Sequence, residues 1–136
     1  MINSDIIRSA YDAFVRGDLD GVLSTCDENI DWVSPGPSEL PTAGRRRGRQ
    51  EVALFFQTLN ELLQIERLEL LELIEQGDRI VVLGEDTVRV RATGGTVDFH
   101  WAHVFEMRDG KVIRFREYGD TAPLVAELQA AQEIAR

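Results

Sequence analysis

The sequence predicts a single α+β domain over residues 1–136, a cone in which a strongly curved, mostly antiparallel sheet is covered on its concave face by N-terminal helices. Three observations point there. The first half of the chain carries apolar residues at helical spacing, interrupted by one short strand-like stretch. From Ile65 to Tyr118 the spacing changes to alternation, with glycine-containing turns between segments. One further helical segment follows. Four long strands with an apolar concave face need cover, and the helices are the elements that can supply it. The open end of such a cone is a natural pocket.

Each element has its own reason. Ser4 or Asp5 can cap a first helix reaching about Arg16, with Ile7, Ala10, Tyr11 and Phe14 on one face. Gly17-Asp18 ends it, and a short helix from Leu19 to Cys26 turns Leu19, Val22 and Leu23 inward. Asn29 to Ser34 reads as a brief strand with Ile30, Trp32 and Ser34 on one face. Pro35, Gly36, Pro37 and Pro41 enforce a loop extending to Arg47. Arg49 to Leu63 carries a helical stripe of Val52, Phe55, Phe56, Leu59 and Leu63. Ile65 to Gln76 has a leucine and glutamate content that would suit a helix. The Gly77-Asp78 turn, leading straight into Arg79-Ile80-Val81-Val82-Leu83, makes it a strand instead. That next strand continues to about Ala92, and Thr93-Gly94-Gly95-Thr96 turns it into a third. Asp109-Gly110 then turns the third into a fourth, Lys111 to Tyr118. Thr121 to Ala135 is a helix with Leu124, Val125, Leu128 and Ala131 on one face.

Composition narrows the function. Hydrophobic residues make up 43% and charged residues 29%, the balance of a globular chain. A formal net charge of -9 argues against nucleic acid or an anionic membrane as partner. Cys26 is the single cysteine, which excludes an internal disulfide and fits a reducing cytoplasm and a buried, small apolar role. Met1-Ile2-Asn3-Ser4-Asp5 does not open a signal peptide, and no apolar run approaches the roughly 18 residues that span a bilayer, so a cytoplasmic location is expected. The two histidines have opposite strand parity, which supports no metal site. Neither a glycine-rich phosphate loop nor a nucleophilic serine motif occurs, and no cofactor is expected. The Arg45-Arg46-Arg47-Gly48-Arg49 run suits a solvated loop, or one that recognises an anion or gates a pocket.

The stretch Val97 to Asp120 holds the candidate chemistry. In the strand Val97-Asp98-Phe99-His100-Trp101-Ala102-His103-Val104-Phe105, the odd positions are large and apolar except for His103. The return strand sets Ile113, Phe115 and Glu117 in one row, which again ends in an ionisable group. Such groups are costly to bury on an apolar face without a purpose. His103 and Glu117 lie opposite or diagonal across the hairpin and within reach of each other, as a catalytic pair or as a structural one. His100 belongs to the convex face.

A set of motifs carries a family resemblance: Tyr11 to Asp18, Asp31-Trp32-Val33-Ser34-Pro35-Gly36, Gly48-Arg49, Trp101 to Val112, and Tyr118-Gly119-Asp120. Through them the chain resembles the SnoaL-like and ketosteroid-isomerase-related proteins of the nuclear transport factor 2-like superfamily, over nearly its whole length. The resemblance implies the cone fold, a small apolar ligand and a homodimer formed through the convex face. It places Tyr11 near a tyrosine that donates to an enolate in the isomerases, and His103 where they keep a second donor. Ser34 stands before Pro35 where the isomerases keep an aspartate base, and serine alone cannot remove a carbon-bound proton. His103 and Asp120 are the nearest equivalents of the acid/base pair in the polyketide cyclases.

The expected function is cofactor-independent isomerisation, cyclisation or dehydration of a small apolar molecule by proton transfer beside its carbonyl. His103, Glu117, Tyr11 and Asp120 are the candidate catalytic residues. Phe14, Trp32, Ser34, Phe56, Phe99, Trp101 and Phe115 are the candidate ligand-binding walls. The plainer roles are a core histidine for His103, a helix-face core residue for Tyr11, a helix cap for Asp120 and a turn former for Ser34. The competing functions are a non-catalytic binding protein with the same cone, and a dimerisation module whose cone is filled.

Overall fold

The computed structural model describes residues 2–134. The elements are α1 (Asn3–Val15), α2 (Leu19–Leu23), β1 (Cys26–Ser34), β2 (Gly44–Arg47), α3 (Gly48–Leu62), β3 (Leu63–Gln76), β4 (Arg79–Val90), β5 (Thr96–Arg108), β6 (Lys111–Gly119) and α4 (Ala122–Ile134). All six strands form one sheet in the order β2-β1-β6-β5-β4-β3. Neighbours are antiparallel except β1 and β6, which run parallel. The sheet is curved and does not close on itself, and the N-terminal helices cover its concave face, as the sequence predicts. The main core joins Ile7 and Tyr11 of α1, Ile30 and Trp32 of β1, and Val52 and Phe55 of α3 to the inward rows of β4, β5 and β6.

The inward residues of β3 depart from strict alternation for a structural reason. Its register with β4 shifts between Ile65 and Arg67 and again between Leu70 and Glu72. Each shift is a bulge that sends one extra residue past the partner strand. The residues half-buried on the concave face are therefore Ile65, Leu68, Leu70 and Leu73, spaced three, two and three apart. That spacing imitates a helical stripe although the backbone is extended.

Several boundaries differ from expectation. Ile2 is the N-cap of α1 and its side chain makes no capping hydrogen bond; Ser4 and Asp5 lie inside the first turn, where Asp5 suits the helix dipole. The second helix stops at Leu23, and Cys26 opens β1 instead of ending a helix. Asp18 caps α2 through a 2.9 Å bond from the Gly21 N–H. Leu63 begins β3 and does not end α3. The stretch Gly44–Arg47, expected as loop, is the edge strand β2. It has no apolar residue to signal a strand, and its charges suit an exposed edge. Arg46 turns back to the carbonyls of Pro41, Thr42 and Ala43 and sits over the Phe55 ring, while Arg49 binds the Cys26 carbonyl. The arginine run therefore anchors a loop and two elements. The expected last helical residue, Ala135, lies outside the described residues.

On the convex face, Ile74, Val81 and Val104 line up across β3, β4 and β5, beside Leu83, Ala102 and Tyr118 across β4, β5 and β6. Ile74 and Tyr118 are exposed. His100 is on this face, paired with Glu85 at 3.2 Å. None of the described helices is long and apolar enough to cross a membrane.

Candidate functional site

Three elements deliver one hydrogen-bonded row. Tyr11 from α1 meets His103 of β5 through its hydroxyl, 2.6 Å from Nδ1. On the other side of the ring, Nε2 of His103 is 2.6 Å from Oε2 of Glu117 on β6. An ionised carboxylate only accepts, so Nε2 carries a proton; in the neutral ring Nδ1 then accepts from the Tyr11 O–H. Burial, with the nearby charge of Glu117, holds the Tyr11 phenol well above its usual pKa, so Tyr11 stays protonated.

A single extra residue brings Glu117 to His103. The β5–β6 turn has positive φ at both Asp109 (52°) and Gly110 (74°), the geometry of a tight two-residue hairpin. Starting from Arg108 opposite Lys111 and Met107 opposite Val112, unbroken pairing would set Arg116 against His103. The register shifts after Met107, leaving Ile113 as the bulge, and Glu117 becomes the direct partner. Ile113 consequently leaves the inward row expected for it, and Val112, at 2% exposure, takes its place beside Phe115 and Glu117.

The ring of His103 is fixed by stacking. The Trp101 indole lies on it at 3.8 Å between centroids and 13° between planes, and Phe115 meets it edge-on at 4.9 Å. Trp101 lies flat because its cross-strand neighbour on β4 is Gly84. A Cβ there would come within 2.5 Å of the indole Cζ2 and 2.8 Å of the Glu69 carbonyl oxygen. Phe99 uses Gly119 in the same way, with its Cζ 2.5 Å from where a Cβ would stand. These glycines are seats for aromatic rings.

The row opens on a cavity of about 150 Å³. Tyr11 and Phe14 from α1, Phe55 and Phe56 from α3, Trp32 and Ser34 from β1, and Phe99, Phe115, His103 and Glu117 from the sheet line it. Leu124 of α4 reaches its edge, and Glu127 ties that helix to Thr93 at 2.7 Å. The wall includes one ionisable group that the sequence reading passed over, Asp86 of β4. Among the described residues, its Oδ1 is fully buried and has no hydrogen-bond partner, and the same is true of Oγ of Ser34 and Nε1 of Trp32. Burial pushes the Asp86 carboxyl up to about 7, and the charge of Glu117 adds to the rise; the Trp101 indole and Arg67 offset part of it. The Trp101 N–H is near enough for that effect yet lies outside hydrogen-bond geometry, since Nε1 itself is unpaired. Asp86 was legible by the parity that singled out His103. Ile80, Val82, Gly84, Asp86, Val88 and Val90 form one inward row on β4, with Asp86 its one charged member.

The chain matches the profile of the SnoaL-like domain over residues 7–115. It belongs to the SnoaL-like family. That places it in the nuclear transport factor 2-like superfamily. Solved structures similar to this SnoaL-like chain include two nuclear transport factor 2-like proteins. The one from Burkholderia pseudomallei, of unknown function, has 32% identity and a TM-score of 0.86, over 91% of this chain and 95% of that one. The one from Burkholderia xenovorans has 35% identity and a TM-score of 0.82, over 91% and 93%. A third similar structure is TerC co-crystallized with polyporic acid, with 32% identity and a TM-score of 0.82, over 91% and 95%. No protein of curated function matches the chain.

In this SnoaL-like chain the candidate residues divide into two groups. Tyr11, His103 and Glu117 come together, and Phe14, Trp32, Ser34, Phe56, Phe99 and Phe115 share their cavity. Trp101 is buried behind His103 and is not part of the cavity surface. Asp120 is exposed, outside the cavity wall, and its Oδ1 accepts the Ala122 N–H at 3.1 Å at the start of α4. Cys26 also lines the cavity, but burial raises its thiol to about 11, which keeps it protonated. Among the described residues, no group of three or more His, Cys, Asp or Glu side chains could hold a metal ion.

Proposed function

We propose that the cavity takes a small, flat, apolar molecule bearing a carbonyl, and that the chain moves a proton beside that carbonyl without a cofactor. The Tyr11–His103–Glu117 row, opening on a mostly apolar cavity, carries this reading. Glu117 binds His103 through one oxygen and keeps the other for the proton of the carbon next to the carbonyl. When His103 is protonated, Nδ1 donates to the Tyr11 oxygen, and the Tyr11 O–H is released to donate to the developing enolate. His103 thus links the base to the donor, and the reaction is isomerisation, cyclisation or dehydration. The co-crystallisation of TerC with polyporic acid supports a cavity of this kind in a relative at 32% identity.

Solvent exchange tests the reading before any substrate is known. Small cyclic ketones incubated with the protein in heavy water should exchange the protons next to their carbonyl, followed by NMR. His103→Ala and Glu117→Gln should each slow this by about 100-fold or more while thermal unfolding stays cooperative. Full exchange in both variants would remove these residues from the site. The second reading, binding without catalysis, is favoured by Ser34, whose buried Oγ stands where the related isomerases keep a base. Ketones that bind to the wild type without exchange would establish that reading instead.

The chain also fits a homodimer formed through the convex face, where Val81, Leu83, Ala102 and Val104 lie between the exposed Ile74 and Tyr118. Sedimentation should give twice the chain mass, and Ile74→Lys should halve it; a wild-type monomer at about 100 μM rules the dimer out.

A further inference from the structure

Asp86 is a half-buried acid, with a fully buried Oδ1 and no assigned task. It pairs with Leu68 on β3 and Phe99 on β5, on the concave face of the sheet. It lines the same cavity as the His103 row but belongs to a different strand and makes no hydrogen bond to that row. An unpartnered buried oxygen is costly, and it lies beside a row joined by two hydrogen bonds of 2.6 Å. A carboxylate there would also face the carboxylate of Glu117, so the neutral acid is the form that suits the site. A neutral carboxyl has an O–H to donate.

We propose that Asp86 is the hydrogen-bond donor that selects this cavity's ligand, giving its proton in a hydrogen bond to an acceptor oxygen, a carbonyl above all, on a small apolar ring compound. This rests on the ligand-pocket reading above and adds the feature by which the pocket tells a ketone from a hydrocarbon of equal shape. The cavity volume, about 150 Å³, suits a ligand of benzene size with a short substituent. The donor form is lost as the pH rises through the range in which Asp86 ionises. The other charged or titratable groups near it are Glu117 and His103 on β6 and β5, Tyr11 on α1, and Arg67 on β3. The pH dependence of selection must therefore be traced to Asp86 by substitution.

Acetophenone and ethylbenzene are the probes, because they match in shape and differ in the carbonyl. Their affinities are measured by protein-observed NMR titration at about pH 5.5 and about pH 8.5. Wild type should prefer acetophenone by about tenfold at the lower pH and lose most of that preference at the higher. Asp86→Asn, which keeps a donor and cannot ionise, should prefer acetophenone equally at both. Asp86→Leu should bind both probes alike. Equal binding of the two probes by wild type at the lower pH overturns the role of Asp86 while leaving the pocket intact. A pH-dependent preference that persists in Asp86→Asn also overturns it, by assigning the titration to another group. If neither probe binds, the pocket reading and this inference fall together.

Discussion

Asp86→Asn should stabilise the folded protein by about 1–3 kcal/mol at about pH 8, with the gain shrinking toward pH 4. The sign follows from the two states. Folded Asp86 titrates at about 7. In the unfolded chain an aspartate titrates at about 3.9. Between those values the unfolded state releases a proton that the folded state keeps, so stability falls as the pH rises through the window and stays low above it. About three units correspond to about 4 kcal/mol at most, and partial exposure of the carboxyl lowers the expectation. Asparagine has the same shape and no charge, so it removes the pH-dependent cost. Urea unfolding of both proteins across this range measures it. A gain that is the same at every pH would show that Asp86 is not held neutral by its site.

The second large effect is at Gly84. Gly84→Val should destabilise the protein by about 2–4 kcal/mol, through overpacking that the backbone carbonyl of Glu69 cannot relieve. The indole of Trp101 must leave its seat, and His103 then loses the ring that holds one of its faces. The emission of Trp101 should shift to the red as it moves toward water, and the exchange proposed for the His103 row should fall with it. A variant with wild-type unfolding and emission would mean that the ring does not depend on this glycine.

Much of the architecture was legible because it rests on periodicity. Tyr11 and Phe14 share the apolar face of a helix, and the tight Asp109-Gly110 turn fixes which residues of its two strands come close. The pairing of His103 with Glu117 was foreseen within one position, but its direct form depends on the bulge at Ile113. A bulge is a property of two strands together and leaves no mark on one of them. The same holds for the bulges in β3, which break the alternation of its inward residues. β2 was invisible because a polar edge strand has no alternating pattern to read. Asp86 was missed for another reason. Gly84, the seat of a tryptophan, interrupts the apolar row that leads to it.

The parallel pairing of β1 with β6 governs when the site comes into being. β3 to β6 are joined by short turns, and such hairpins form within microseconds. The contact between β1 and β6 joins the first third of the chain to its last, and the Tyr11–His103 bond spans 92 positions. Closing such a long loop costs entropy that nothing repays until the contact is made, so it belongs to the slow part of folding. On a ribosome, a chain that has not yet released β6 has Tyr11 but neither Glu117 nor the register that supplies it. Assembly of the Tyr11–His103–Glu117 row is therefore a late event in refolding, arriving with the last strand.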